Sequence, residues 1–341
     1  MTLIDRYAVF GHPIKHSKSP RIHRLFAEQT GQALEYTALE VPAEQFQTAA
    51  AMFFAEGGKG LNCTVPLKEL AWDYADRKTE RAQLSKAVNT LALQADGSIL
   101  GDNTDGIGLV TDLLTNHAIT LSGIRILILG AGGASRGIIA PILEQSPQTL
   151  VIANRTVDKA ARLAAEFHGK ASAPRQSLLH CSRSLFRTRF YLPHPWGRTS
   201  CITHMDVGNA DFAWSKISVH DSRAHAPYLH PVGKGSITGC GYEALKNRQF
   251  DLILNATSAS LSGQLPPLPA GLLAAGGNCY DLAYGNEPTA FVRWGLENHA
   301  AKSLDGLGML VEQAAEAFFI WRGVRPKTRP VIELLNSERQ A

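Results

Sequence analysis

Apolar residues along the chain fall into short runs of strand length that alternate with stretches of helical period, and glycine, proline or small polar residues punctuate each change. Residues 7–11, Tyr-Ala-Val-Phe-Gly, predict a buried strand. A polar loop at 12–20 follows, then a helix that Pro20 opens and that runs to about residue 30. A strand at 34–41, a helix at 43–56 and a strand at 60–66 complete a β-α-β-α-β order, which calls for a parallel sheet. Residues 88–93 and 98–105 read as a hairpin turned at Asp96-Gly97. It brings Asn89 and Asp105 to its open ends, with Asp105 capping a helix at 106–116.

The alternation then starts again. Residues 125–129 form a second buried strand and break at once into Gly130, Gly132 and Gly133, with a helix beginning near Ala134. A strand at 149–156, a helix at 157–167 and strands at 249–255 and 277–284 follow. From Gly306 the period is helical, with Leu310, Val311, Ala314, Ala315 and Phe318 on one face and Gln313 off it. The chain is therefore expected to be α/β. An N-terminal α/β domain with a mainly parallel sheet covers residues 1–104, a Rossmann-like domain covers 105–305, and a cleft lies between them.

The glycine turn carries the first chemical signal. Glycines directly after a buried strand let the backbone turn tightly and approach a pyrophosphate, and the following helix aims free N–H groups at it. Gly130, Ala131, Gly132, Gly133 and Ala134 are the expected cradle, although Ser135 stands where the usual fingerprint has its third glycine. The strand at 149–156 ends where an acidic residue would hold the ribose of NAD. It offers Asn154, Arg155 and Thr156 instead, with Lys159 a turn later, and arginine suits a 2′-phosphate, so the expected cofactor is NADP. Asn255 and Thr257, at the end of another core strand, are expected to line the same cofactor.

Polar residues gather at two further strand ends. Ser17 and Ser19 sit two apart in a loop rich in hydroxyls and cations just before a helix, a composition suited to a carboxylate. The strand at 60–66 runs into Asn62, Thr64 and Lys68, which places them at a cleft edge, since parallel sheets keep their ligands at the carboxyl ends of strands.

Composition narrows the setting. Hydrophobic residues make up 45% of the 341, no apolar run reaches the ~18 residues of a membrane span, and the N-terminus lacks the pattern of a signal peptide. A cytoplasmic protein is expected. Cys63, Cys181, Cys201, Cys240 and Cys279 form no C-x-x-C pair, so reduced thiols are expected and no metal. The net charge of +4 comes from residues 171–234, which hold eight Lys/Arg against three acids. The rest of the chain is near neutral, which excludes a nucleic-acid face built into the fold.

Taken in order, His-Ser-Lys-Ser-Pro, Asn-Cys-Thr-Val-Pro-Leu-Lys, Asn-Thr-Asp-Gly, Gly-Ala-Gly-Gly-Ala-Ser-Arg, Asn-Arg-Thr, Asn255-Ala-Thr-Ser258, Asp281-Leu-Ala-Tyr284 and the run from Gly306 to Ala315 make the chain resemble the shikimate dehydrogenases of the bacterial monofunctional kind. The resemblance spans residues 5–170 and 235 to about 335. It implies reversible NADPH-dependent reduction of 3-dehydroshikimate to shikimate in aromatic amino-acid biosynthesis, by a monomer or homodimer with no nucleic-acid or membrane partner. It also implies that Ser17, Ser19, Thr64, Asn89, Tyr284 and Gln313 hold the substrate, that Lys68 and Asp105 form the catalytic pair, and that Gly306 and Met309 lie on the cofactor side. Residues 306–341 would fold back to complete the first domain. Cys63 departs from the valine usual in its motif, and strand alternation turns its side chain away from its neighbours.

The implied chemistry agrees with the residues. Hydride addition to a ring ketone leaves an alkoxide that needs a proton, and a lysine ammonium beside a carboxylate can stabilise that charge and deliver one. Two other readings compete: an NAD-dependent quinate/shikimate dehydrogenase, which Arg155 and Thr156 oppose, and a catalytically silent ligand-binding relative, which the presence of both Lys68 and Asp105 opposes. Residues 171–234 match nothing in the resemblance. They hold six of the twelve histidines and no glutamate, without sustained periodicity. They read as an irregular insert far from the chemistry, against the alternative of a metal module using Cys181, Cys201 and His204.

Overall fold

Two six-stranded sheets organise the computed structural model, which describes residues 4–168, 236–257, 259 and 263–340. The first sheet comprises β1 (Asp5–Gly11), β2 (Leu34–Glu40), β3 (Gly58–Cys63), β4 (Arg77–Lys78), β5 (Thr90–Leu93) and β6 (Ile99–Asp102), in the order β2-β1-β3-β5-β6-β4. β1 pairs parallel with β2 and β3, whereas β5 runs antiparallel to β3 and β6. The alternation within β1 explains its burial on both faces. Ala8 and Phe10 join a cluster with Phe46, Phe53 and Leu61, while Tyr7 and Val9 pack with Ile14 and Tyr36. The helices on this sheet are α1 (Ser19–Thr30), α2 (Phe46–Ala55), α3 (Lys68–Tyr74) and α4 (Glu80–Ser85).

The second sheet is parallel throughout. Its strands β7 (Arg125–Leu129), β8 (Thr149–Ala153), β9 (Ser236–Cys240), β10 (Phe250–Asn255), β11 (Leu273–Asp281) and β12 (Lys302–Leu304) are ordered β12-β11-β10-β7-β8-β9. Strand order reverses between β7 and β10. In doubly wound sheets that switch point, at the carboxyl ends, is where a nucleotide lies. The aliphatic run of β7 feeds both faces: Ile126 and Ile128 pack under α5 (Asp105–Thr111), α6 (Gly133–Glu144) and α7 (Val157–Phe167), and Leu127 and Leu129 pack with Phe291 of α8 (Ala290–Glu297).

α9 (Leu307–Arg322) and α10 (Arg329–Gln340) return to the first sheet. Leu307, Val311, Ala314, Ala315 and Phe318 of α9 and Val331 and Leu335 of α10 bury against Ile22 and Phe26 of α1. Each large side chain so buried contributes about 1.5–3 kcal/mol, enough together to hold the C-terminal helices in place. Tyr284 packs at the margin of this cluster.

Several expectations are corrected. The helix predicted at 106–116 is α-helical only from Asp105 to Thr111 and then widens into a π turn over Asp112–Asn116. Asp105 is not its cap: Thr104 occupies the cap position without a side-chain bond, and Asp105 stands in the first turn with its carboxylate committed elsewhere. The strand predicted at 149–156 stops at Ala153, so Arg155 and Thr156 belong to the turn that follows. The strand predicted at 277–284 begins earlier and ends at Asp281, leaving Tyr284 in a loop. Cys63 turns into the core, as strand alternation requires, and burial pushes its thiol up beyond any ordinary reactivity. The segment 171–234, with Cys181, Cys201 and His204, lies outside the described residues. No helix among the described residues is long and apolar enough to cross a membrane.

Candidate active site

Three strand ends of the first sheet meet at one edge. β3 runs into a tight turn in which Leu67 N–H donates to Thr64 O at 2.7 Å, and α3 begins at Lys68. β6 runs into Asn103 and Thr104, and α5 begins at Asp105, whose backbone N–H donates to Asn103 Oδ1 at 3.2 Å. These two helix starts bring Lys68 Nζ to 2.5 Å from Asp105 Oδ2. The two side chains are only 17% and 9% exposed, so little water competes with their contact.

Asn89, just before β5, completes the Asp105 shell. Its Nδ2 donates to Asp105 Oδ1 at 2.8 Å and to Thr104 Oγ1 at 2.9 Å, and it stands 3.2 Å from Gln313 Oε1. Gln313 reaches this cluster from α9, with its own Nε2 bonded to Leu310 O at 2.9 Å, so its carbonyl oxygen faces Asn89 and Thr104. Four predicted residues, Lys68, Asn89, Asp105 and Gln313, thus share one hydrogen-bonded cluster. Thr104 is a fifth member that the sequence reading missed, because a threonine between a strand and a helix looks like an ordinary connector.

Ser17, Ser19 and Tyr284 gather at the start of α1. Ser19 N–H donates to Ser17 Oγ at 3.3 Å, and Ser19 is nearly buried. Burial raises the pKa of Tyr284, opposed by a hydrogen bond to the Lys18 backbone and by the positive Arg339. Thr64, just past β3, donates its backbone N–H to Phe10 O of β1 at 2.9 Å. Its methyl would stand 2.4 Å from any Cβ at residue 11, which explains why β1 ends in Gly11.

A second layer holds the Asp105 turn. Arg81 of α4 donates to both oxygens of Asp102, at 2.7 and 2.6 Å, and to Glu316 Oε1 of α9 at 2.9 Å. Thr79 Oγ1 and the Asn103 N–H complete the Asp102 shell at 2.6 and 2.7 Å, and Arg325 pairs with the other Glu316 oxygen. Burial alone would lower the Arg81 pKa, but the two carboxylates more than reverse it, so the guanidinium stays charged. None of these partners was singled out from sequence, since Arg81 and Glu316 lie 235 positions apart.

At the switch point of the second sheet the glycine turn has the expected form. Gly130 adopts φ +103°, open only to glycine without strain, and its N–H donates to Ala153 O at 2.7 Å. Ser135 Oγ donates to Gly130 O at 2.8 Å, so the serine in the third glycine position closes the turn. A Cβ on Gly132 or Gly133 would meet nothing within 4 Å, and the backbone from Ala131 to Ala134 is at least partly exposed at the start of α6. That is the open approach and free N–H array a pyrophosphate needs. Arg155, Thr156 and Lys159 are exposed where β8 ends, and Asn154 Nδ2 closes the turn on Thr156 O at 3.0 Å. Asn255, by contrast, is fully buried. Its Oδ1 accepts from Thr257 N and Oγ1 at 3.2 and 2.7 Å, and its Nδ2 donates to Asp281, so it shapes the turn from within. Gly306 is buried where a Cβ would fall 2.2 Å from Leu282 O, and Met309 N–H donates to the Tyr280 hydroxyl at 3.2 Å. The residues present fit a phosphorylated dinucleotide.

A doubly wound parallel sheet with a glycine turn at its switch point, beside a mixed α/β sheet carrying a lysine–carboxylate pair, defines a nucleotide-dependent dehydrogenase built from a substrate domain and a Rossmann-like domain. Residues 9–91 match the shikimate dehydrogenase substrate binding domain, residues 112–182 the shikimate/quinate 5-dehydrogenase family, and residues 306–335 the shikimate 5′-dehydrogenase C-terminal domain. The NADP(+) shikimate dehydrogenase of Methylococcus capsulatus is 53% identical, covering 100% of this chain and 99% of its own, and that of Nitrosococcus oceani is 47% identical over 98% and 96%. A crystal structure of shikimate 5-dehydrogenase from Thermus thermophilus in complex with NADP(H) and shikimate is similar over 98% of this chain and 100% of its own, with 26% identity and a TM-score of 0.70. The chain belongs to the shikimate dehydrogenase family.

Proposed function

We propose that this enzyme catalyses the reversible NADPH-dependent reduction of 3-dehydroshikimate to shikimate, with Lys68 and Asp105 handling the proton. The observation that carries the reading is the Lys68–Asp105 pair at 2.5 Å, held by Asn89 at the carboxyl edge of the first sheet and packed against α6, the helix that opens at the glycine turn. NADPH, when bound, supplies the hydride to the ketone carbon. The Lys68 ammonium donates its proton to the oxygen of that carbonyl as negative charge builds there, leaving a hydroxyl on the ring. Asp105 fixes the Nζ position and stabilises the ammonium before transfer, and in the oxidative direction the lysine amine takes the hydroxyl proton back.

Asn89, Gln313 and Thr64 are assigned to the ring hydroxyls and Ser17, Ser19 and Tyr284 to the carboxylate, supported by the two groupings at one sheet edge. Gly130 to Ala134, with Thr257, Gly306 and Met309, are assigned to the pyrophosphate and nicotinamide side, and Asn154, Arg155, Thr156 and Lys159 to the adenosine 2′-phosphate. The substrate domain is taken as residues 1–104 completed by 306–341, and the cofactor domain as 105–305. A cytoplasmic location and a monomer or homodimer complete the proposal. Steady-state oxidation of shikimate by the purified chain, followed with NADP and with NAD, tests it. Turnover with NADP is expected, and its absence would overturn the reading.

A further inference from the structure

The Tyr36 hydroxyl heads a hydrogen-bond chain that ends on Asp105, and both amides in it have fixed orientations. Tyr36 donates to Asn62 Oδ1 at 2.7 Å. Asn62 Nδ2 donates to the Asn89 backbone carbonyl at 3.0 Å and to Thr90 Oγ1 at 3.1 Å, and because a carbonyl only accepts, the Asn62 amide cannot turn over. Thr90, accepting at its oxygen, passes its own proton to Asn89 Oδ1 at 2.9 Å. The Thr104 backbone N–H reaches the same oxygen at 2.8 Å, so the Asn89 amide is fixed as well. Its Nδ2 must then face Asp105 Oδ1, while Lys68 takes Oδ2. A donor-to-acceptor path thus runs from Tyr36 through Asn62, Thr90 and Asn89 to the carboxylate, with the Thr104 hydroxyl 3.4 Å from Thr90 Oγ1 beside it.

Tyr36 is the one buried residue of β2, and its ring lies flat on the buried His23, 4.1 Å between centroids and 6° from parallel. Burial raises the phenol pKa well above the ordinary range, so it stays a donor at any working pH, and the Ser19 hydroxyl acts on the same oxygen. One phenol therefore touches the first residue of α1 and the chain that reaches Asp105.

We propose that Tyr36 is a positioning residue for the reaction: acting through Asn62 and Thr90, its hydroxyl sets the Asn89 amide and so holds the Asp105 carboxylate in register with Lys68. This rests on the functional reading above. Aligned hydrogen bonds in a dry interior polarise one another, so removing the first donor slackens the last acceptor.

The experiment is steady-state shikimate oxidation with NADP by the unmodified chain, Tyr36→Phe, Asn89→Ala and the double variant, with the thermal midpoint of each recorded. Tyr36→Phe keeps the ring stacked on His23 and removes only the hydroxyl. A fall in kcat of roughly three- to tenfold is expected, the size of one lost hydrogen bond, with KM for shikimate changed by less than about twofold. In the Asn89→Ala background Tyr36→Phe should cost nothing more, since its path to Asp105 is already cut. Thr90→Val should copy the loss and Thr90→Ser should restore it, which keeps the test decisive if Tyr36→Phe does not fold. Full kcat in Tyr36→Phe, or the same fractional loss with and without Asn89, would overturn the positioning role. An unmodified chain without turnover would overturn the functional reading itself and the relay with it.

Discussion

Gly137, in the second turn of α6, lies so close to Asp105 that a Cβ there would stand 3.4 Å from Asp105 Oδ2 and 3.1 Å from Asn103 Oδ1. The helix that starts at the glycine turn of one sheet thus presses its backbone on the carboxylate of the other. Asn103 cannot easily give way, because its Nδ2 bonds Ala87 O at 3.0 Å while its Oδ1 receives the Asp105 N–H.

Gly137→Ala separates stability from catalysis. Alanine in a helix interior gains up to about 1 kcal/mol over glycine, which offsets much of the crowding in the folded state. The displaced atoms, however, are the ones that aim Lys68. The expected result is a thermal midpoint within a few degrees of the parent and a kcat lower by roughly tenfold. Unchanged kcat would mean that the contact relaxes without moving Asp105.

Lys68→Ala tests the proton donor directly. General acid–base work acts in the transition state, so kcat should fall by roughly 10² or more with a smaller change in KM. The variant also strands the largely buried Asp105 carboxylate, so some loss of stability is expected alongside. A variant that keeps full kcat removes Lys68 from the mechanism.

Both sheets were legible because their strands are short aliphatic runs with turn residues at each end, and the hairpin because Asp96-Gly97 marks it. The segment from Lys68 to Ser85 was not assigned, since α3 and α4 are seven and six residues long and too short to display a helical period. The misreading of Asp105 has a definite cause. An aspartate before a helix is usually a cap, but a lysine 37 positions earlier lies within 2.5 Å, and an ion pair with little solvent outweighs the local bond. Tyr36 was passed over because nothing in its strand distinguishes a buried phenol with a polar task from a filler of the core.

Cofactor choice is expected to follow Arg155. It stands exposed just past β8 with Thr156 and Lys159, where a 2′-phosphate offers two or more acceptor oxygens to a guanidinium and a 2′-hydroxyl offers none of that charge. Arg155→Ala should raise KM for NADP by about tenfold or more and leave the weaker reaction with NAD nearly unchanged. Equal losses with both cofactors would sink this assignment.

The pH dependence of stability should carry the mark of His23. Its ring is almost completely buried between Tyr36 and Phe318, and neither nitrogen has a hydrogen-bond partner. Burial pushes its pKa down to about 3, with Asn62 beside it opposing the shift. An unfolded histidine titrates near ~6.5, so between these values the unfolded chain holds a proton that the folded chain refuses. The unfolded state binding more protons means that stability rises with pH. The contribution is complete above about 6.5 and is lost as pH falls toward 3, at up to about 1.4 kcal/mol per pH unit. Between pH 6.5 and 5 most carboxylates remain ionised, so this histidine should dominate the slope. His23→Phe keeps an aromatic ring for Tyr36 to stack on and removes both the titration and two unpaired buried nitrogens. Urea unfolding at pH 6.5, 5.75 and 5 should therefore show the parent losing stability across the series and His23→Phe losing markedly less, with the variant at least as stable at pH 7. Parallel slopes for the two chains would show that His23 does not set the acid sensitivity.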